Sequence, residues 1–111
     1  MAKVGEHITL DIIGTTKEYE ASLFEKVIHD IAKAANVTIL NISKYKFEPQ
    51  GFTILALLAE SHISFHTFPE KGIISFDFFT CGKVNPSIAT EGLTFPHVKK
   101  SKLIIPFSGK V

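Results

Sequence analysis

Tryptophan is absent from this 111-residue chain, and cysteine occurs once, at Cys81. A lone cysteine excludes an internal disulfide framework and fits a reducing compartment, so a cytoplasmic location is expected. Without tryptophan, the ten phenylalanines are expected to carry much of the packing. Long apolar runs are missing too. The longest candidate, Phe52 to Ala59, has eight residues, well short of the ~20 that a membrane helix needs. From Met1 to His7 there is neither the basic segment nor the apolar run of a secretory signal. Charge of one sign is also scarce: the net charge is +1 at pH 7, so no broad field favours nucleic acid or an acidic membrane. The small cluster Lys99, Lys100 and Lys102 reads as solvated surface.

What is present suits one domain spanning residues 1–111. Hydrophobic residues make up 45%, enough for a chain of this size to bury roughly 60–68% of its unfolded surface. From Glu6 to Ile13, Ile8, Leu10 and Ile12 alternate with His7, Thr9 and Asp11, the pattern of a half-buried strand. Gly14-Thr15-Thr16 predicts a turn, with either threonine placed to cap a following helix. Phe24, Val27, Ile28, Ile31 and Ala35 then recur at helical spacing, and that helix is expected to end near Asn36. Strands are predicted from Val37 to Phe47, Phe52 to Ala59, Ser61 to Thr67 and Ile73 to Thr80. Pro49-Gln50-Gly51 and Pro69-Glu70-Lys71-Gly72 supply turns between them. A short helix after Pro86 and a last strand from Lys102 to Phe107 complete the order. Many strands with few helices predict an α+β fold: a two-layer α/β sandwich, its mainly antiparallel sheet covered on one face by helices. The other face would need cover, which points to a homodimer.

Reactive side chains crowd between residues 60 and 81, and three chemistries compete for them. His62 and His66, joined by Asp77 or Cys81, would make a metal site if the segment were helical. Ile63 and Phe65 read as strand instead. At roughly 3.3 Å per residue, the two histidines then stand about 13 Å apart. Bonds of ~2.0–2.1 Å to one zinc ion cannot span that distance, and no metal is expected. A hydrolase with Cys81 or Ser61 as nucleophile and His66 as base has the residue types but neither a G-x-S-x-G elbow nor a family signature. The third chemistry is self-processing. The Ser61 hydroxyl attacks the Glu60 carbonyl, a base removes the serine α-proton, and the chain breaks to leave a pyruvoyl group. It requires strain at the serine, a nearby base and donors for the oxyanion.

The segment Ala59-Glu60-Ser61-His62-Ile63-Ser64-Phe65-His66-Thr67-Phe68-Pro69-Glu70, followed by Asp77-Phe78-Phe79-Thr80-Cys81-Gly82, closely resembles the prokaryotic S-adenosylmethionine decarboxylases. Their pattern reads approximately A-E-S-H-x-S-x-H-T-W-P-E and then D-x-F-T-C-G. The likeness extends upstream through Phe47, Pro49-Gln50-Gly51 and the Gly5-x-His7 start, and it fades after Gly82.

The resemblance implies cleavage between Glu60 and Ser61, giving chains 1–60 and 61–111, with a pyruvoyl cofactor derived from Ser61. His66 matches the histidine that removes the α-proton during processing, and Cys81 the residue that protonates the product carbon. Glu70 matches the acid that binds the substrate ribose, and Phe47 an aromatic position beside the adenine. The family builds its sites across a dimer interface. In turnover the substrate amine would condense with the pyruvoyl carbonyl, an electron sink otherwise supplied by pyridoxal phosphate. Three positions depart from the pattern. Phe68 replaces the usual tryptophan, with less stacking area and no indole donor. Thr53 stands where a processing serine is usual, keeping the hydroxyl but restricting its rotamer. Lys83 replaces a common aspartate. Phe68 and Lys83 leave open a relative acting on arginine or ornithine, and an unprocessed, non-enzymatic homologue is a further alternative. His62 and Ser64 read as structural hydrogen-bonding groups, and His29 and His97 as ordinary surface or boundary residues. Phe47 fits core or site equally.

Overall fold

The computed structural model describes residues 3–15, 19–81 and 99–108. Strand β1 (Lys3–Ile13) is followed by helix α1 (Ala21–Ala35), then β2 (Ile39–Lys46), β3 (Phe52–Leu58) and β4 (Ser61–Phe68). A single 3-10 turn (Pro69–Lys71) leads to β5 (Ile73–Cys81), and β6 (Lys99–Ser108) closes the order. The strands form one six-stranded sheet in the order β2-β3-β4-β5-β1-β6. Every neighbouring pair is antiparallel. The expected α+β architecture is therefore present, with α1 lying across one face.

Period two decides which side chains meet the helix. Ile8, Leu10 and Ile12 on β1, Ile54 and Ala56 on β3, Ile63 and Phe65 on β4, and Ile74, Phe76 and Phe78 on β5 are all buried. Against them α1 sets Phe24, Ile28, Ile31 and Ala32, the predicted stripe. Phe24 is its anchor, packing edge-to-face on Phe65 at 4.9 Å and on Phe52 at 5.3 Å between ring centroids. Full burial of such a side chain contributes about 1.5–3 kcal/mol.

Several boundaries differ from expectation. The helix starts at Ala21 with Glu20 at its N-cap and no side-chain cap, not behind Thr15. The Thr15 N–H donates to the Gly72 carbonyl at 3.1 Å, which ties it to the β4–β5 connection instead. Asn36 ends the helix as predicted, in the left-handed conformation at φ 56°. Phe47 lies just past β2, its N–H closing a loop on the Gly51 carbonyl at 2.8 Å. The last strand is longer than Lys102 to Phe107, because it pairs along β1 as far as Lys99 opposite Ile13. Gly82, Lys83, His97 and the helix expected after Pro86 lie outside the described residues.

Candidate active site

The β3–β4 hairpin carries Ser61. Leu58 pairs with Ser61, so the turn consists of Ala59 and Glu60 alone, and Glu60 sits at φ 62°. A side chain in this left-handed region costs about 1–2 kcal/mol. The strained residue is therefore Glu60, one position before the serine, and not Ser61 itself. Ser61 itself opens β4 and is 9% exposed.

No bend follows it. For His66 to reach Ser61 of the same chain, a bend or bulge near 61–63 would be required, and none is present. The β3–β4 register runs without a shift from Leu58–Ser61 to Thr53–His66. Five residues of regular strand place the two about 16 Å apart along β4 and on opposite faces. Ser61 alternates with Ile63 and Phe65 on the helix side, while His66 lies with His62 and Ser64 on the outer face.

His66 meets Thr53 there. The two are direct cross-strand partners, and Thr53 Oγ1 stands 2.9 Å from His66 Nδ1. A cavity of about 330 Å³ opens beside them, lined by Phe47, Gln50, Thr53, His66, Phe68 and Glu70 among others. That volume suits a small ligand. Gln50 Nε2 donates to Glu70 Oε2 at 3.3 Å, and Phe47 and Phe68 present exposed rings. The loop between Phe47 and Gly51 is stapled to β4, because the Phe52 N–H donates to Thr67 Oγ1 at 2.9 Å. Gly51, at φ 92°, has the Thr67 carbonyl oxygen 3.0 Å from where a Cβ would sit.

Cys81 ends β5 opposite Gly5. One step beyond the His62–Phe79 pair come Ser61 and Thr80, so Cys81 shares the Ser61 end of the sheet. Gly5 is required here: an added Cβ would collide with the Thr80 carbonyl. The sequence-predicted residues therefore form two groups at opposite ends of β4. Glu60, Ser61 and Cys81 occupy one end. Thr53, His66, Phe47, Phe68 and Glu70 occupy the other. A larger cavity of about 610 Å³ is lined by Tyr19, Glu20, Ala21, Lys44, Tyr45, Lys46 and Phe52. It contains none of these residues and no nucleophile–base pair.

Residues 6–96 match the family model described as S-adenosylmethionine decarboxylase. The chain belongs to the S-adenosylmethionine decarboxylase family. It is 39% identical over 92 residues to the S-adenosylmethionine decarboxylase proenzyme of Brevibacillus brevis, covering 80% of this chain and 69% of that protein. With the proenzyme of the same name from Methanococcus vannielii, identity is 42% over 85 residues, or 75% of this chain and 70% of that one. Among solved structures, the adenosylmethionine decarboxylase of Aquifex aeolicus superposes with a TM-score of 0.72 at 31% identity, covering 93% of this chain and 91% of that one. Among the described residues, no helix is long and apolar enough to cross a membrane.

Sequence reasoning missed two features of this family member. Gln50 has the sequence context of a turn residue, yet its side chain also holds Glu70. On the outer face His7, Asp77, His62 and Ser64 converge. Alternation alone places each on the polar side of its strand, but only the pairing shows that they meet.

Proposed function

We propose that this chain decarboxylates S-adenosylmethionine after converting its own Ser61 into a pyruvoyl group, with each site completed by a second copy of the chain. The observation that carries the proposal is Glu60 at φ 62° directly before Ser61, in a family whose relatives are named proenzymes. Strain of this kind persists where the surrounding fold over-determines it, here through the unbroken ladder that follows.

Processing begins when Ser61 Oγ attacks the Glu60 carbonyl carbon. The peptide C–N bond breaks as the ester C–O bond forms, and the proton on Oγ passes to the amine. A base then takes the Ser61 α-proton, the Glu60 carboxylate leaves, and hydrolysis of the resulting dehydroalanine releases ammonia. His66 is the base. The contact of its Nδ1 with Thr53 Oγ1 fixes the ring, and in the tautomer protonated at Nδ1 the lone pair lies on Nε2. Because His66 of the same chain stands on the wrong face, the base comes from a second copy. Leu55, Leu57 and Tyr45, at 49%, 54% and 66% exposure, give the outer face the apolar surface to receive that copy.

The pyruvoyl group supplies the electron sink for loss of carbon dioxide. Around it the chain positions and protonates. Glu70, steadied by Gln50, accepts hydrogen bonds from the ribose hydroxyls. Phe47 and Phe68 flank the adenine and sulfonium, an attraction of about 0.5–2 kcal/mol. Cys81 holds the proton delivered to the product carbon, a role that a thiol retains in a reducing cytoplasm.

Intact mass under denaturing conditions tests the first half of the proposal. Two fragments, 1–60 and a blocked 61–111, are expected, and a single chain is expected from Ser61→Ala. Carbon dioxide release from S-adenosylmethionine, set against arginine and ornithine, tests the second. Release from either amino acid and none from S-adenosylmethionine would overturn the substrate assignment.

A further inference from the structure

Strand β5 runs between β1 and β4, and its Phe79 pairs with His7 on one side and His62 on the other. Asp77, two residues back along β5, points from the same face between the two imidazoles. His7 Nε2 lies 3.2 Å from Asp77 Oδ2, and His62 Nε2 lies 3.6 Å from Asp77 Oδ1. The histidine rings face edge to face at 6.0 Å between centroids. One ligand atom from each of the three residues falls within 4.8 Å of the others.

Hydrogen bonding alone does not account for this convergence, since 3.6 Å exceeds a hydrogen-bond length. His62 faces the carboxylate at ion-pair distance, beyond the reach of a hydrogen bond. Its ring is held by parallel stacking on Phe79, at 5.9 Å and 10°. Asp77 is held in turn, because Ser64 Oγ donates to its Oδ1 at 2.8 Å. Donors at ~2.0–2.1 Å from a tetrahedral zinc ion lie about 3.3 Å from one another, close to the two histidine–Asp77 separations of 3.2 and 3.6 Å.

We propose that His7, His62 and Asp77 bind a zinc-class divalent transition-metal ion, with a fourth position open on the outer face. Two imidazoles and a carboxylate suit zinc, cobalt or nickel and not magnesium or calcium, which prefer oxygen donors. Ser64 is the outer partner that orients the carboxylate. His62 directly follows Ser61, while His7 belongs to residues 1–60. On the cleavage proposed above, the ion would join the two fragments beside the new terminus.

Tag-free, chelator-stripped protein is titrated with Zn²⁺ by calorimetry and with Co²⁺ by visible spectroscopy. One ion per chain is expected, with a Co²⁺ spectrum of nitrogen and oxygen ligation. Ser64→Ala should weaken binding about 10–100-fold and the exposed His62→Gln by at least ~100-fold, whereas His29→Gln should change nothing. Ser61→Ala, which stays uncleaved, should bind equally, so the site is tested apart from processing. Absence of binding, equal binding by His62→Gln, or a thiolate charge-transfer band assigning Cys81 would each overturn the proposal.

Discussion

Thr53 and His66 show how much one hydroxyl can do. The bond between them is worth about 0.5–1.5 kcal/mol net, and its larger effect is to fix the orientation of the imidazole ring. Thr53→Ala is expected to slow self-cleavage about tenfold or more, in proportion to about 1.4 kcal/mol or more of lost positioning. Thr53→Ser should keep the parent rate or exceed it, because the missing methyl frees the rotamer. A gel time course of freshly made precursor reads both, and equal rates for all three chains would remove Thr53 from processing. Glu60 makes the complementary case. In the uncleaved Ser61→Ala chain, Glu60→Gly relieves a left-handed side chain but adds backbone entropy to the unfolded state. The balance should raise stability by about 0.5–1 kcal/mol in urea unfolding. A loss of stability would mean that the turn is not strained.

Between the strands and the helix, stability concentrates where α1 meets β3 and β4. Phe24→Ala removes the ring lodged between Phe52 and Phe65 and should cost about 3–5 kcal/mol, read as a lower thermal midpoint. Ala21, half-buried at the first turn of α1, should tolerate change far better. Helix α1 was legible because Phe24, Ile28 and Ile31 repeat within one segment, and Asn36 ends it by a local rule. Its start was not. Thr15 has the chemistry of a cap, but a distant backbone partner, Gly72, holds it elsewhere. Phe47 was ambiguous for a related reason: only the loop closed on Gly51 shows that its ring faces the cavity at Glu70 and not the core.

For the whole molecule, the separation of Ser61 from His66 becomes a test of assembly. If a second copy supplies the base, Ser61→Ala and His66→Ala chains each stay uncut alone. Refolded together, the His66→Ala chain should be cleaved, because its partner retains His66. Intact mass of the mixture decides, and no cleavage would refute the shared site. Leu57→Lys, on the outer face, should produce monomers in sedimentation and abolish cleavage together.

The alternation of β1, the stripe of α1, the α+β class and the run of reactive residues from Glu60 to Cys81 are all legible in the sequence. Each depends on neighbours within a few positions, where periodicity and turn chemistry act. Period two likewise sets Ser61 and His66, five residues apart, on opposite faces of a straight strand. The folded sheet, in contrast, keeps the strand straight between them. It also brings Thr53 rather than Ser61 to His66, and His7 to Asp77 across 70 residues of chain. Strand register is the reason: it is set by burying one whole sheet face against α1 at once, and no single segment encodes which residue of a distant strand will lie opposite its own.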